Sequence, residues 1–235
     1  MQIGNLEKFT LIDYPGKLAA TVFCLGCNFA CPWCYNSELV LPEKIKKQPT
    51  ISEKELLFFL KERKGLLEGV CVCGGEPTLY QDLPEFLKKI KDLDYSVKLD
   101  TNGSNPEMLE KLISENLVDY IAMDIKAPKE KYEKIIGNAK DIKNIVGRIQ
   151  RSIAILNNSN VDYEFRTTII PILLKKEDIL EIARWIMPAK KYFLQNFQPI
   201  KTVDPDFNGV KPYSKEYLLE IQKAIEPFFE ICQVR

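Results

Sequence analysis

Four of the seven cysteines lie within eleven residues, at Cys24, Cys27, Cys31 and Cys34. The last three form a C-x3-C-x2-C pattern in the sequence CNFACPWC. Three thiolates at this spacing can hold a 4Fe–4S cluster by three of its irons, which leaves the fourth iron open to another ligand. Because an electron carrier normally binds all four irons through cysteine, the open iron indicates catalysis. The pattern therefore predicts a catalytic iron–sulfur site.

Other interpretations of these cysteines remain open. A structural zinc site would use Cys24 as its fourth ligand, although zinc knuckles usually separate two C-x2-C pairs by a dozen or more residues. The Cys31-Pro32 pair is also found in ferredoxins, but a two-cluster ferredoxin needs more cysteines than this chain supplies. A disulfide framework is disfavoured, because such frameworks belong to oxidising compartments. Cys24 is more simply a buried residue at a strand end.

The composition excludes several other kinds of site. The 235 residues include no histidine, which excludes Ser-His triads, Cys-His nucleophiles and H-E-x-x-H zinc sites. Lys and Arg total 33, as do Asp and Glu, so the chain as a whole creates no field that attracts nucleic acid or an anionic membrane. The uncharged stretch over residues 18–37 contains Pro32 and several polar residues, which argues against a membrane span. We expect a cytoplasmic protein with neither a nucleic-acid nor a membrane partner.

Apolar runs of strand length alternate six times with amphipathic helical patterns. Strands are predicted near residues 18–24, 69–73, 96–100, 120–125, 163–170 and 191–197. Helices are predicted from Ser52 onward and over residues 82–93, 105–116, 141–157, 175–187 and 214–229. Six strand–helix units with right-handed crossovers predict an α/β fold, an incomplete, laterally open parallel (βα)6 barrel or partial TIM barrel. We expect one domain over residues 1–235, with a core of about 17–200 and a C-terminal loop and helix over 201–235.

The second predicted strand ends in GGEP, and such folds bind ligands at the carboxyl ends of strands. Gly74 and Gly75 permit close backbone approach, and the Glu76 carboxylate can accept hydrogen bonds from an ammonium group. Taken alone, GGEP is more typical of a turn. Cys71 and Cys73 precede it at a period of two, and we expect both in the strand core.

The third and fourth predicted strands end in LDTNG and MDIK. Asp100 and Thr101 lie in the first motif, and Asp124 and Lys126 lie in the second. An Asx turn and a solvated ion pair are the alternative interpretations. If the strands are neighbours, Asp100 and Asp124 would meet near a ligand, and Lys126 would supply a positive charge for a carboxylate.

Together these motifs resemble those of the radical S-adenosylmethionine (SAM) superfamily, including Trp33 directly before the last loop cysteine. With FTLIDYPGK at residues 9–17, MDIKAP and FRTTIIP, the chain resembles the glycyl-radical-enzyme activating branch. Within that branch it is most similar to the anaerobic ribonucleoside-triphosphate reductase activating type. The matches run from residue 9 to about 200. Two departures are Tyr35, where this branch often has His, and the lack of a late-strand His near SAM.

The resemblance implies roles for individual residues, and no catalytic residue beyond the cluster and SAM. The cluster would be bound by Cys27, Cys31 and Cys34. The amino group of SAM would be contacted by the motif of Gly74, Gly75 and Glu76. A monovalent cation or SAM itself would be bound by Asp100, Thr101 and Asp124, with Lys126 as a further SAM contact. Gln195 or Gln198 would replace the missing histidine, and a buried Arg166 would pair with either the SAM carboxylate or Glu164 on the same face.

The implied activity is that of a radical SAM oxidoreductase in anaerobic metabolism. Its 4Fe–4S cluster would cleave SAM reductively to methionine and a 5′-deoxyadenosyl radical, which generates a glycyl radical on a partner enzyme. The partner would be an anaerobic ribonucleotide reductase or an enzyme of the pyruvate formate-lyase type, and reduced ferredoxin or flavodoxin would donate the electron. The alternatives are a small-molecule radical SAM enzyme such as 7-carboxy-7-deazaguanine synthase, and a non-catalytic ferredoxin-like or zinc-binding module. The loop over residues 201–212 would cover the site or meet the partner.

Overall fold

Eight strands form one open sheet in the computed structural model, which describes residues 1–137 and 143–235. The strands pair in chain order, and β1 (Ile3–Thr10) is antiparallel to β2 (Ala19–Cys24), whereas every later pair is parallel. The later strands are β3 (Gly69–Gly74), β4 (Ser96–Thr101), β5 (Tyr120–Asp124), β6 (Asp162–Ile169), β7 (Lys191–Asn196) and β8 (Ile231–Val234). Within these described ranges no pairing joins β1 to β8, so the sheet is not closed.

Helices follow the strands and pack on one face of the sheet. They are α1 (Ser37–Val40), α2 (Pro42–Ile45), α3 (Glu53–Glu62), α4 (Leu83–Lys91), α5 (Pro106–Ser114), α6 (Tyr132–Ile135), α7 (Ile145–Asn157), α8 (Lys176–Ile186) and α9 (Lys215–Ile225). The predicted start at Ser52 is confirmed, since Ser52 and Glu55 form a reciprocal capping box at the N-terminus of α3. In the part of the chain that is described, none of the helices has the length and apolar character needed to cross a bilayer.

The predicted partial barrel is confirmed, with two strands more than predicted. All six predicted strands are present within one residue of their predicted limits. The additional strands are the sheet edges: β1 is rich in exposed polar residues, and β8 has only four residues, so neither has the apolar run that marks the others. The predicted helix over residues 141–157 begins at Ile145 as α7, and residues 141 and 142 lie outside the described residues.

The two faces of the sheet differ in polarity. The residues that point toward the helices are fully buried and apolar, as in Val72, Leu99 and Phe165. The residues that alternate with them point to the inner face and include charged groups such as Asp100 and Arg166. The main hydrophobic core therefore lies between the sheet and the helices, and the inner face is left for polar contacts.

Glu164 on β6 is a fully buried carboxylate near the amino-terminal end of this inner face. Arg235 donates to both of its oxygens at 2.8 and 3.0 Å, and the Tyr120 hydroxyl donates at 2.8 Å. The guanidinium of Arg235 also lies 3.4 Å from the centre of the Phe193 ring. These contacts tie the residue that follows β8 to the middle of the sheet.

We expect Arg235→Met to lower the free energy of unfolding by about 1–3 kcal/mol, because it leaves the buried Glu164 carboxylate with one donor residue. Urea denaturation followed by circular dichroism measures the loss. Lys64→Met is the control, since it removes an exposed ion pair with Asp94 that is worth at most about 1 kcal/mol. Equal losses in the two variants would contradict the stabilising role of Arg235.

Candidate functional site

A pocket opens on the inner face and extends to the carboxyl ends of the strands. Most of the predicted site residues line it: Cys27, Cys31, Cys34, Gly74, Gly75, Asp100, Thr101, Asp124, Lys126, Arg166 and Gln195. The alternative to Gln195, Gln198, is exposed outside the pocket. The structure therefore brings together residues that the sequence spreads over more than 160 positions.

The three loop cysteines stand around one side of the pocket as free thiols. The Phe29 amide donates to the Cys27 sulfur at 3.4 Å, and the Cys34 amide donates to the Cys31 carbonyl at 3.0 Å. Burial raises the pKa of Cys27 to about 12 and also raises the pKa values of Cys31 and Cys34. Since metal ligands are thiolates, binding of iron here must displace protons.

The donor set fits a 4Fe–4S cluster. Such a cluster takes one thiolate per iron, so its ligands stand around a cavity. Beside the thiols, the buried Trp33 Nε1 has no hydrogen-bond partner among the described residues and belongs to a side chain that lines the same cavity. Across residues 1–137 and 143–235, no three His, Cys, Asp or Glu side chains are placed to hold one metal ion together.

Gly74 and Gly75 are the point where the start of the cysteine loop packs against β3. Gly74 has a φ of +111°, and a Cβ on Gly75 would lie 1.8 Å from the Gly26 carbonyl oxygen. The Gly75 amide donates to the Cys24 carbonyl at 2.9 Å, and the Glu76 amide donates to the Gly26 carbonyl at 2.8 Å. The close approach that the two glycines permit is thus made by the protein backbone itself. Cys24 is buried at the end of β2, as expected.

Glu76 is the predicted site residue that does not line the pocket. Its carboxylate is fully buried and accepts hydrogen bonds from the Thr78 amide and hydroxyl at 3.1 and 2.5 Å. It also accepts from the Thr101 hydroxyl at 2.7 Å and the Asn102 amide at 2.6 Å. Burial raises its pKa, although these donors act in the opposite direction. Because a buried carboxylate needs donors, Glu76 points toward the LDTNG loop and holds it, and its contact with the amino group of SAM stays a prediction.

Asn102 links the LDTNG loop to the cysteine loop. Its side-chain amide donates to Asn28 Oδ1 at 2.9 Å, and the Asn28 amide donates to the Ser104 hydroxyl at 2.8 Å. The Ser104 backbone amide closes the ring by donating to Asn102 Oδ1 at 2.9 Å. Sequence reasoning missed Asn102, because within its motif it is indistinguishable from a turn residue.

Five charged side chains form a continuous chain across β4, β5 and β6. Lys98 contacts Asp100, and Arg166 Nη1 lies 2.9 Å from Asp100 Oδ2. Arg166 Nε lies 2.8 Å from Asp124 Oδ1, and Lys126 Nζ lies 2.8 Å from Asp124 Oδ2. Burial alone would raise the pKa values of the two aspartates, but the adjacent cations outweigh it and hold both below the usual range. We call these five residues the charge chain.

The charge chain confirms one expectation and corrects another. Asp100 and Asp124 do meet, through a guanidinium that they share. The anion that pairs with Arg166 is therefore this pair of aspartates and not Glu164. Glu164 lies two residues closer to the start of β6 and is bound by Arg235 instead.

Cys71 and Cys73 share one face as predicted, but that face is the inner one, and both line the pocket instead of the core. The Cys71 sulfur lies 3.7 Å from Asp100 Oδ1 and 3.8 Å from Lys98 Nζ. Lys98 was not predicted to belong to the site. The signal that would have found it is the alternation of Ser96, Lys98 and Asp100 with apolar residues, which puts all three on the inner face.

The loop after β7 packs against the cysteine loop. The Val203 amide donates to the Cys34 carbonyl and the Asp204 amide to the Pro32 carbonyl, both at 2.8 Å. A short 3₁₀ helix, Pro205–Gly209, follows. These two hydrogen bonds therefore hold the loop after β7 and the cysteine loop together.

A family model described as the Radical SAM superfamily matches residues 21–186, which include all the motifs above from the cysteine loop to MDIK. A "putative glycyl-radical enzyme activating enzyme" of Methanocaldococcus jannaschii is 30% identical over 236 residues, which cover 99% of this chain and 95% of that protein. A 7-carboxy-7-deazaguanine synthase of Buchnera aphidicola is 26% identical over 145 residues, covering 55% of this chain and 63% of that protein. A solved structure of anSMEcpe with bound AdoMet has a TM-score of 0.63 and 16% identity, covers 90% of this chain and 62% of that chain, and supports the fold alone.

The charge chain makes a prediction about acid stability. Because the pKa of Asp124 is lowered by folding, its ion pairs stabilise the fold above about pH 4, and this contribution is lost as the pH falls toward the lowered value. We expect Asp124→Asn to lower the free energy of unfolding at pH 7 by about 2–4 kcal/mol and to flatten the decline below about pH 4. Urea denaturation over a pH series measures both effects. Asp94→Asn changes an exposed ion pair and should leave the decline in stability at acid pH in place. An unchanged decline in Asp124→Asn would contradict the stabilising role of the Asp124 ion pairs.

Proposed function

The chain belongs to the radical SAM superfamily, whose enzymes use a 4Fe–4S cluster and SAM, and on that premise we propose that it activates a glycyl-radical enzyme. When bound, the two cofactors supply a 5′-deoxyadenosyl radical through one-electron reductive cleavage of SAM. The protein substrate is a glycine-containing loop of a partner of the anaerobic ribonucleotide reductase or pyruvate formate-lyase type. Reduced ferredoxin or flavodoxin donates the electron. The observation that carries the proposal is the convergence of three loop cysteines and the charge chain on one pocket of an unclosed sheet.

The chain's own residues bind the cofactors and keep water away from them. Cys27, Cys31 and Cys34 would hold the cluster, and the buried Trp33 ring lines the same pocket. The cysteine loop is held by a backbone hydrogen bond from the Glu76 amide to the Gly26 carbonyl and by two more from the loop after β7.

The charge chain provides the electrostatics that a SAM carboxylate requires. Its three basic side chains, Lys98, Arg166 and Lys126, exceed its two carboxylates by one positive charge. One bound carboxylate neutralises that excess. Lys126 approaches the cysteine loop, since its Nζ lies 5.2 Å from the centre of the Trp33 ring. Thr101 and Gln195 complete the SAM pocket.

Support for a polypeptide substrate comes from the edge of the pocket. Leu11 and Ile12 are 66% and 87% exposed, and the next residue, Asp13, lines the pocket. Adjacent exposed apolar residues are typical of protein–protein contacts. The Methanocaldococcus relative supports the same interpretation, because it matches nearly the whole chain.

Reconstitution with iron and sulfide under anaerobic conditions tests the cofactor part of the proposal. We expect about four irons per chain and release of 5′-deoxyadenosine when dithionite and SAM are added. Loss of an outer-shell contact costs roughly 10–100-fold in metal affinity or activity. Cys31→Ala removes a cluster ligand itself and should therefore reduce the release of 5′-deoxyadenosine by more than that. Cys232→Ala is the matched control, because Cys232 is a buried thiol on β8 that does not line the pocket. Equal activity of the two variants would refute the cluster assignment.

A second experiment tests the partner. The reconstituted protein is mixed with SAM, reductant and the anaerobic ribonucleotide reductase of the same organism, and electron paramagnetic resonance detects a glycyl radical. The signal should require Cys31 and SAM. Release of 5′-deoxyadenosine without a radical on any glycyl-radical enzyme, together with turnover of a small molecule, would instead favour the 7-carboxy-7-deazaguanine synthase class.

A further inference from the structure

We infer that Lys98 and Arg166 take the place of an inorganic monovalent cation, so that this pocket binds SAM without one. The inference rests on the proposed assignment of the pocket to SAM. It concerns Asp100, Thr101 and Asp124, the residues that the family resemblance nominates as cation ligands.

The oxygens of these residues are already paired. Asp100 has Lys98 on one carboxylate oxygen and Arg166 on the other. Asp124 has Arg166 on one oxygen and Lys126 on the other. The Thr101 hydroxyl donates to Glu76 at 2.7 Å and accepts from the Gly103 amide at 3.1 Å. An added cation would have to share these oxygens with the basic groups already bound to them.

The local charge also disfavours an added cation. Three basic side chains contact the two carboxylates, so an incoming Na⁺ or K⁺ would meet ammonium and guanidinium groups already bound to both aspartates. Repulsion between like charges is strong in a site that excludes water. These residues therefore do not fit the monovalent cation that the resemblance implies.

Lys98 is held in place by a buried ion pair with Asp100. Its side chain is 2% exposed, and it lies on β4 two residues before Asp100, on the same face. Within the described residues its acceptors are Asp100 and the Cys71 sulfur. A buried lysine with such partners cannot exchange with solvent as a free ion does.

Arg166 supplies the bridge. Its Nη1 and Nε reach Asp100 on β4 and Asp124 on β5, at 2.9 and 2.8 Å. The planar guanidinium holds two carboxylates in fixed directions, which a spherical ion between them would do only by coordination. Lys98 and Arg166 are thus positioning residues that set the geometry of the two aspartates.

Calorimetric titration of SAM into the reconstituted protein tests the inference. The buffers contain chloride salts of potassium, sodium or choline at equal ionic strength, and wild type should bind SAM with the same affinity, within about twofold, in all three. Lys98→Met keeps most of the side-chain volume and removes the charge. Its affinity in choline should fall at least about tenfold below its affinity in potassium or sodium, because a small cation can then occupy the vacated position. Lys98→Arg should stay independent of the salt.

Lys64→Met, a change in an exposed ion pair, is the control and should behave as wild type. A wild-type affinity that drops tenfold in choline would overturn the inference, and so would a folded Lys98→Met that binds SAM equally in all salts. If Lys98→Met does not fold, wild type and Lys98→Arg decide the question. Absence of SAM binding in every salt would reject the pocket assignment and the inference together. Salt-dependent SAM binding by wild type would reject the inference and leave the proposed function standing.

Discussion

The shared guanidinium of Arg166 is the contact on which the rest of the pocket depends. Two carboxylates on neighbouring strands, Asp100 and Asp124, cannot lie this close on a largely buried surface without a cation between them. Arg166 is in register with Asp124, whereas Asp100 is in register with Ala122, so the guanidinium reaches diagonally across β5 to Asp100 and ties three parallel strands together. Lys98 and Lys126 close the two ends of the row. The inner face can therefore carry charged side chains, because each of them is paired with a side chain of opposite charge.

The cysteine loop obeys a different constraint. It has no regular secondary structure, so its shape is set by backbone contacts with its surroundings. Gly75 lets the backbone of Gly26 approach where any side chain would clash. Glu76 and Asn102 then fix the neighbouring loop, and the Asn28 side chain joins the two. The GGEP and LDTNG motifs thus support the cysteine loop as well as bordering the pocket.

The sequence predicted the parallel strands well because their outer faces form apolar runs that are buried under helices. It also predicted that Asp100 and Asp124 would meet, since adjacent parallel strands end at one edge of the sheet. It did not predict β1 or β8, whose residues lack that pattern, and it did not predict where buried charges find their partners. The pairing of Glu164 with Arg235 joins residues 71 positions apart. The orientation of Glu76 likewise depends on donors outside its own motif, Thr101 and Asn102, and local spacing does not encode such contacts.

The polarity of the sheet links binding to stability. In most barrels of parallel strands the inner face is filled by branched apolar side chains, and the ligand touches only the loops at one end. Here charged residues of the inner face, including Arg166, border the pocket, so a ligand carboxylate would be bound by groups that also hold strands β4 to β6 together. Such a ligand neutralises the one excess positive charge and stabilises the folded state in proportion to its affinity. A change to one of these residues therefore acts on the fold and the site at once, and only a measurement that separates affinity from stability can assign its role.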